Sequence, residues 1–119
     1  EYTILIVEDE EGIRETLKIF LSNQGYRVLE AENGKMGLEM IQQHDIHLAI
    51  VDIMMPVMDG MTMVMKLREN HDFPIIFLKY FYHTPFYIYK GVDMFQLCFK
   101  TNILVGCFVC RKNAVSLCL

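Results

Sequence analysis

The chain has 119 residues, enough for one domain with a single core and too few for two. It is 53% hydrophobic and 22% charged, as soluble globular proteins are, and its net charge of −4 gives no drive toward nucleic acid or anionic membrane. Glu1 to Val7 lacks the basic start and apolar length of a signal peptide, and the late apolar run Ile103 to Cys110 is far short of a membrane span, so a cytoplasmic location is expected.

Tyr2 to Val7 is a short apolar, β-branched run of the kind that is buried on both faces of a parallel sheet. It stops abruptly at Glu8-Asp9-Glu10-Glu11. Ile13, Leu17, Phe20 and Leu21 then recur at the spacing of one helix face, with the acids at the helix start where its dipole favours them. Gly25 ends this helix. Tyr26 to Ala31 reads as a second strand, and Asn33-Gly34 turns the chain into a helix carrying Leu38, Met40 and Ile41. His47 to Met54 is again apolar, broken only by Asp52. After Pro56 and an Asp59-Gly60 turn, Met61 to Asn70 forms a third helix, and Pro74 to Leu78 a fourth strand. Beyond it the pattern weakens. Lys79 to Lys90 is aromatic-rich without helical period, Val92 to Phe99 reads as a short helix and Ile103 to Cys110 as a fifth strand. Arg111 to Leu119 leaves about two turns for a closing helix.

Strands and helices that alternate through short links argue for a parallel sheet covered on both faces. The expected fold is α/β, a flavodoxin-like doubly wound sheet of strand order 2-1-3-4-5, whose ligands sit at the carboxyl ends of the first and third strands. Glu8, Asp9 and Asp52 fall at those two ends.

Three carboxylates there are costly without a cation, since each like-charged pair at about 4 Å repels by roughly 4 kcal/mol at an effective dielectric of 20. Hard oxygen donors with room for water suit Mg²⁺. Asp52 could then act as a carboxylate nucleophile toward a phosphoryl group. Acidic residues that open a helix are more often simple dipole partners, which is the plain reading of Glu8 to Glu11 alone. An aspartate that closes an apolar strand is harder to dismiss, because an unpaired buried charge is too costly.

The stretches Ile4-Leu5-Ile6-Val7-Glu8-Asp9-Glu10, Ala31-Glu32-Asn33-Gly34 and Val51-Asp52-Ile53-Met54-Met55-Pro56-Val57-Met58-Asp59-Gly60 closely resemble the response-regulator receiver family of bacterial two-component systems. They look most like the branch that carries an OmpR-type winged-helix output domain. The resemblance runs from Tyr2 to Leu78. It implies Asp52 as phospho-acceptor, Asp9 as a direct Mg²⁺ ligand, Glu8 as a ligand mainly through water, and Met54 as a ligand through its backbone carbonyl. It implies a sensor histidine kinase as phosphoryl donor, a small acyl phosphate as an alternative donor, and a receiver–receiver dimer as a further partner.

The tail departs from this pattern. Residues 1–73 hold 14 acidic and 6 basic residues, a net −8, whereas residues 74–119 hold 1 and 5, a net +4. All four cysteines (Cys98, Cys107, Cys110 and Cys118) lie in the second part, as do 10 of the 14 aromatics. The single receiver domain of residues 1–119 thus divides into a family-like part, 1–78, and a divergent part, 79–119, as a frameshift, truncation or fusion would produce. Lys79 stands where the family has a Thr or Ser that contacts the phosphoryl group. Lys100, followed by Thr101 instead of Pro, is the candidate for the family's fifth-strand lysine, although aligning Gly91-Val92-Asp93 puts Cys98 there instead. Lys79 either reaches into the acidic pocket to pair with Asp52 or points to solvent. The C-x-x-C of Cys107 and Cys110 lacks a second ligand pair and reads as apolar packing rather than a metal or redox site.

The leading function is a phosphorylation-controlled signalling receiver from a gene that normally regulates transcription, with no DNA-binding element in these residues. Lys79 and the missing Lys-Pro favour, as runner-up, a receiver-like interaction module that does not switch, or a disrupted gene product. An aspartyl-phosphate phosphatase fits less well, because its Asp-x-Asp motif is absent at Asp52-Ile53-Met54. A flavin or dinucleotide binder fits worse, because Glu8 to Glu11 would repel a phosphate.

Overall fold

The computed structural model describes residues 1–79, 88–89, 92–93, 103–111 and 114–118, with side chains described through Leu78. Lys100 and Cys98 lie outside the described residues. In chain order the elements are β1 (Thr3–Val7), α1 (Glu11–Asn23), β2 (Arg27–Ala31), α2 (Gly34–Gln43), β3 (Leu48–Asp52), α3 (Gly60–Leu67), β4 (Ile75–Lys79), β5 (Ile88–Tyr89), β6 (Val92–Asp93), β7 (Ile103–Arg111) and β8 (Ala114–Cys118).

The main sheet runs β2-β1-β3-β4-β7-β8. Its first five strands are parallel, in the doubly wound order 2-1-3-4-5 with β7 as the fifth. Alternation along each strand sorts side chains onto two faces. Leu5, Val7, Ala49, Val51, Ile75 and Phe77 pack with α2 and α3, through Ile41, Met61, Met63, Val64 and Leu67. Ile4, Ile6, Ile50 and Leu78 pack on the opposite face with Ile13 and Leu17 of α1. Both faces of β1 and β3 are covered, which is why those strands read as unbroken apolar runs.

Local chemistry fixes the ends of the elements. Gly25, at φ +91°, closes α1: its N–H donates to Ser22 O at 3.0 Å and the Tyr26 N–H donates to Leu21 O at 3.2 Å, so two carbonyls at the helix end are satisfied. Asn33 caps α2 by accepting from the Met36 N–H at 2.9 Å. Gly34 allows α2 to approach the loop after β3, since a Cβ there would meet Met58 O at 2.9 Å.

The tail corrects two expectations. Arg111 to Leu119 is not a closing helix: β8 folds back antiparallel on β7. As a strand, residues 114–118 gain ladder hydrogen bonds along the edge of β7. Val92 to Phe99 does not begin as a helix either, because Val92 and Asp93 form β6, paired antiparallel with β5. Phe20, expected on the buried side of α1, is 60% exposed.

Candidate functional site

β1 and β3 are neighbours whose connections leave on opposite sides, so the chain parts at their carboxyl ends and opens a crevice. Glu8 follows the last residue of β1, and Asp52 is the last residue of β3. The two side chains are 0% and 3% exposed, and Asp9 beside them is exposed. Glu8, Asp9 and Asp52 each bring a carboxylate oxygen within 4.8 Å of the other two. Six donors at about 2.1 Å around one Mg²⁺ are roughly 3–4 Å apart, so this spacing fits an octahedral hard cation.

The surrounding backbone holds these groups in place. The Glu8 N–H donates to Ala31 O of β2 at 3.1 Å, and Glu8 O accepts from the Arg14 guanidinium at 2.8 Å. Glu8 Oε1 accepts from the Glu10 N–H at 3.1 Å, which stiffens the turn into α1. Asp52 Oδ1 accepts from the Met54 N–H at 3.2 Å. Burial raises the Asp52 carboxyl from 3.8 to about 7. The Met54 N–H and a hydrogen bond with Glu8 lower it, and the Asp9 charge raises it further. Near neutral pH this acid is therefore only partly ionised unless a cation joins it.

The loop after β3 is tightly wound. Met58 N–H donates to Pro56 O at 2.8 Å across Val57, whose φ of +69° marks a γ-turn that a β-branched residue rarely adopts. Asp59 caps α3 by accepting from the Thr62 N–H at 2.8 Å. The Gly60 N–H donates to Ile53 O at 2.9 Å, and a Cβ on Gly60 would overlap the Asp52 carbonyl. The sequence marks Asp59-Gly60 as a turn and as part of the family-like block, but not that Gly60 lies directly over the backbone of the candidate phospho-acceptor. The glycine immediately after a capping aspartate was the available signal.

The structure thus brings Glu8, Asp9 and Asp52 together, with the Met54 backbone beside them. Lys79 ends β4, one residue beyond Leu78, which pairs with Asp52 in the β3–β4 ladder.

Comparison with known proteins shows the family of the chain. Residues 4–94 match the family described as the response regulator receiver domain. The chain is 45% identical over 76 residues to the response regulator GtcR of Aneurinibacillus migulanus, covering 64% of this chain and 31% of that protein. It is 43% identical over 75 residues to the regulatory protein VanR of Enterococcus faecium, covering 63% and 32%. The chain thus spans about a third of the length of the curated relatives it matches. The crystal structure of the response regulator TrrA of Thermotoga maritima, in complex with Mg²⁺-BeF, superposes with a TM-score of 0.71 at 30% identity, covering 95% of this chain and 90% of that one. TrrA in complex with the histidine kinase ThkA gives 0.69 at 31% identity, covering 95% and 89%. With its crevice of acids at two strand ends, the chain belongs to the response-regulator receiver domain family.

Proposed function

We propose that this chain is the phospho-accepting receiver of a two-component system. In this reading Asp52 takes a phosphoryl group from the phosphohistidine of a sensor histidine kinase in the cytoplasm, and the natural protein acts on transcription through an output domain. The observation that carries it is the convergence of Glu8, Asp9 and a buried Asp52 within 4.8 Å at the ends of two adjacent strands. TrrA, a relative of similar fold, has been captured both with Mg²⁺-BeF and with a histidine kinase.

Asp9 and Asp52 would ligate Mg²⁺ directly, with Glu8 acting through water and Met54 through its backbone carbonyl. The bound ion supplies charge neutralisation, favouring ionised Asp52 and the spread charge of a transferring phosphoryl group. The Met54 N–H fixes the rotation of the Asp52 carboxylate. Burial strips water from Asp52, which strengthens its electrostatic contacts and protects the product acyl phosphate. An oxygen of Asp52 bonds to phosphorus as the phosphorus–nitrogen bond of the donor breaks, and neutral imidazole leaves. The chain is no enzyme in the turnover sense: it assists its own phosphorylation. Lys100 is retained as the candidate cation that pairs with the phosphoryl group.

Incubation with acetyl phosphate and Mg²⁺, followed by intact-mass measurement, tests this reading. One added phosphoryl group that is absent in Asp52→Ala supports it; no addition, or addition that persists in the variant, refutes it.

The identity of Lys79 favours a second reading, a receiver-like interaction module that does not switch. At the residue after the Asp52 register partner, a lysine would compete with Mg²⁺ for the same carboxylates. The boundary at 78/79 is also proposed as a seam in the gene, since the curated relatives align over only 75 or 76 residues. Resequencing the locus tests it: an alternative frame encoding the family's Lys-Pro and an output domain supports disruption, and its absence argues against it.

A further inference from the structure

Arg14 places a cation against the backbone of the acidic crevice, and the phosphoryl chemistry above gives it no part. It lies in the first turn of α1, where its N–H donates to Glu10 O at 3.0 Å. Side chains on a helix lean toward its N-terminus, so a long one here runs back over the first turn. The Arg14 guanidinium does so and donates to Glu8 O at 2.8 Å. Its Nε also lies 3.6 Å from Glu30 Oε1 on β2, while Lys18, one turn along the same helix, stands 3.2 Å from Glu30 Oε2. The Arg14 side chain is only 15% exposed, so its contacts are better shielded from water than those of an ordinary surface pair.

The bond to Glu8 O bears on the next residue. A peptide group is planar, so Glu8 C=O and Asp9 N–H belong to one rigid unit, and fixing the carbonyl fixes the direction in which Asp9 leaves β1. Glu8 is held on its amino side by Ala31 O of β2 at 3.1 Å and on its carboxyl side by Arg14. Glu10, the N-cap residue, makes no side-chain cap bond, and its own N–H is taken by Glu8 Oε1 at 3.1 Å. Arg14 and Glu8 therefore hold a turn that a capping side chain would ordinarily hold. Asp9 is the exposed member of the cluster, the one that the core does not fix by burial.

We propose that Arg14, braced by Glu30, is a positioning residue that sets the Glu8–Asp9 peptide so that Asp9 stands beside Asp52 for the cation. The inference rests on the Mg²⁺-binding reading given above and adds a residue that holds no metal itself.

Charge alone predicts the opposite sign. A guanidinium close to three carboxylates repels Mg²⁺, so removing it should tighten the ion. If Arg14 acts by position, its loss weakens binding in spite of that gain. Lysine separates the two effects further. It keeps the positive charge, but its compact ammonium lacks the planar fork that addresses a carbonyl and a carboxylate together.

The test compares wild type, Arg14→Met, Arg14→Lys and Glu30→Gln as full chains, by Mg²⁺ calorimetry and by metal-free amide exchange. Arg14→Met should weaken Mg²⁺ about tenfold, the lower end for residues that orient metal ligands. Arg14→Lys should weaken it about threefold, and Glu30→Gln, which removes only the brace, about twofold. Tighter or unchanged binding in Arg14→Met overturns the proposal, as does an Arg14→Lys chain that binds like wild type. Without metal, the Glu10 N–H of Arg14→Met should exchange faster, by a factor at least about fivefold larger than the change at Val51 in β3. Equal changes at the two sites would mean a general loss of stability and would also overturn it. A wild-type chain that takes up no Mg²⁺ refutes the proposed function instead, and the exchange comparison then decides by itself whether Arg14 holds the turn.

Discussion

The two sides of the main sheet are completed by different means. On one side, β2, β1, β3 and β4 are parallel, so each connection crosses a face of the sheet and brings a helix with it. The result is a core in which Leu5, Ile6, Val7, Val51, Phe77 and Leu78 are all fully buried. On the other side β8 pairs antiparallel with β7, which fills an edge without carrying a helix across a face. Among the described residues α1 alone covers its face, and a groove of about 420 Å³ lies beside it, lined by Leu17, Phe20, Leu48, Ile50 and Ile76. Phe20 is exposed because nothing described packs over it. Parallel pairing thus builds the crevice that gathers carboxylates, and a hairpin can only extend its border. The acidic cluster belongs wholly to the first side.

This contrast makes the first side the place where small changes should cost most. Gly60→Val forces a branched side chain into the Asp52 carbonyl, and denaturant unfolding should show a loss of at least about 3 kcal/mol. A cost below 1 kcal/mol would mean that α3 does not lie tight against the end of β3.

The next effect is a pH dependence confined to the metal-free protein. The Asp52 carboxyl is raised from 3.8 to about 7, so the folded state holds its proton more tightly than the unfolded chain does. The resulting penalty is absent below about 3.8, grows as pH rises and is complete above about 7. It should lower stability at pH 8 by on the order of 3 kcal/mol, taking 1.36 kcal/mol per unit and some relaxation. Melting curves of wild type and Asp52→Asn should diverge as pH rises, with the variant the more stable, and Mg²⁺ should close the gap. Parallel curves would remove the burial argument.

Lys79→Thr probes the junction between the two sides. If the ammonium competes for the acidic crevice, Mg²⁺ affinity measured by calorimetry should rise about five- to tenfold, roughly 1 kcal/mol at the 1.4 kcal/mol per decade conversion. Unchanged affinity would assign Lys79 to solvent. The smallest effect is expected at Val57. Relief of its left-handed φ by Val57→Gly is worth roughly 1–2 kcal/mol, offset by about 0.5–1 kcal/mol of glycine entropy, so thermal unfolding should show a small gain.

Much of the first side was legible because its signals are local. β1 and β3 announce themselves as apolar runs, Gly25 and Asn33 mark helix ends, and Asp52 is the lone charge in an apolar strand. Alternating elements and right-handed crossovers point to a doubly wound sheet, and the order 2-1-3-4-5 was expected as the flavodoxin-like arrangement of such units. What escaped depended on contacts distant in sequence or on competition for an edge. Gly60 matters through its approach to Asp52, which no spacing rule encodes. Residues 114–118 pair with β7 because an edge was available, although their count suggested a short helix. Cys107 and Cys110 drew notice as a motif, whereas the opposition of Cys107 and Cys118 exists only once the ladder register is known.

Carbon-13 NMR titration of the Asp52 carboxyl, with and without Mg²⁺, reads the crevice itself. The metal-free protein should titrate near 7, as burial dictates, and saturating Mg²⁺ should move that transition well into the acid range. A carboxyl that titrates near 3.8 in both conditions, indifferent to the ion, would mean that Glu8, Asp9 and Asp52 do not form a shared cation site.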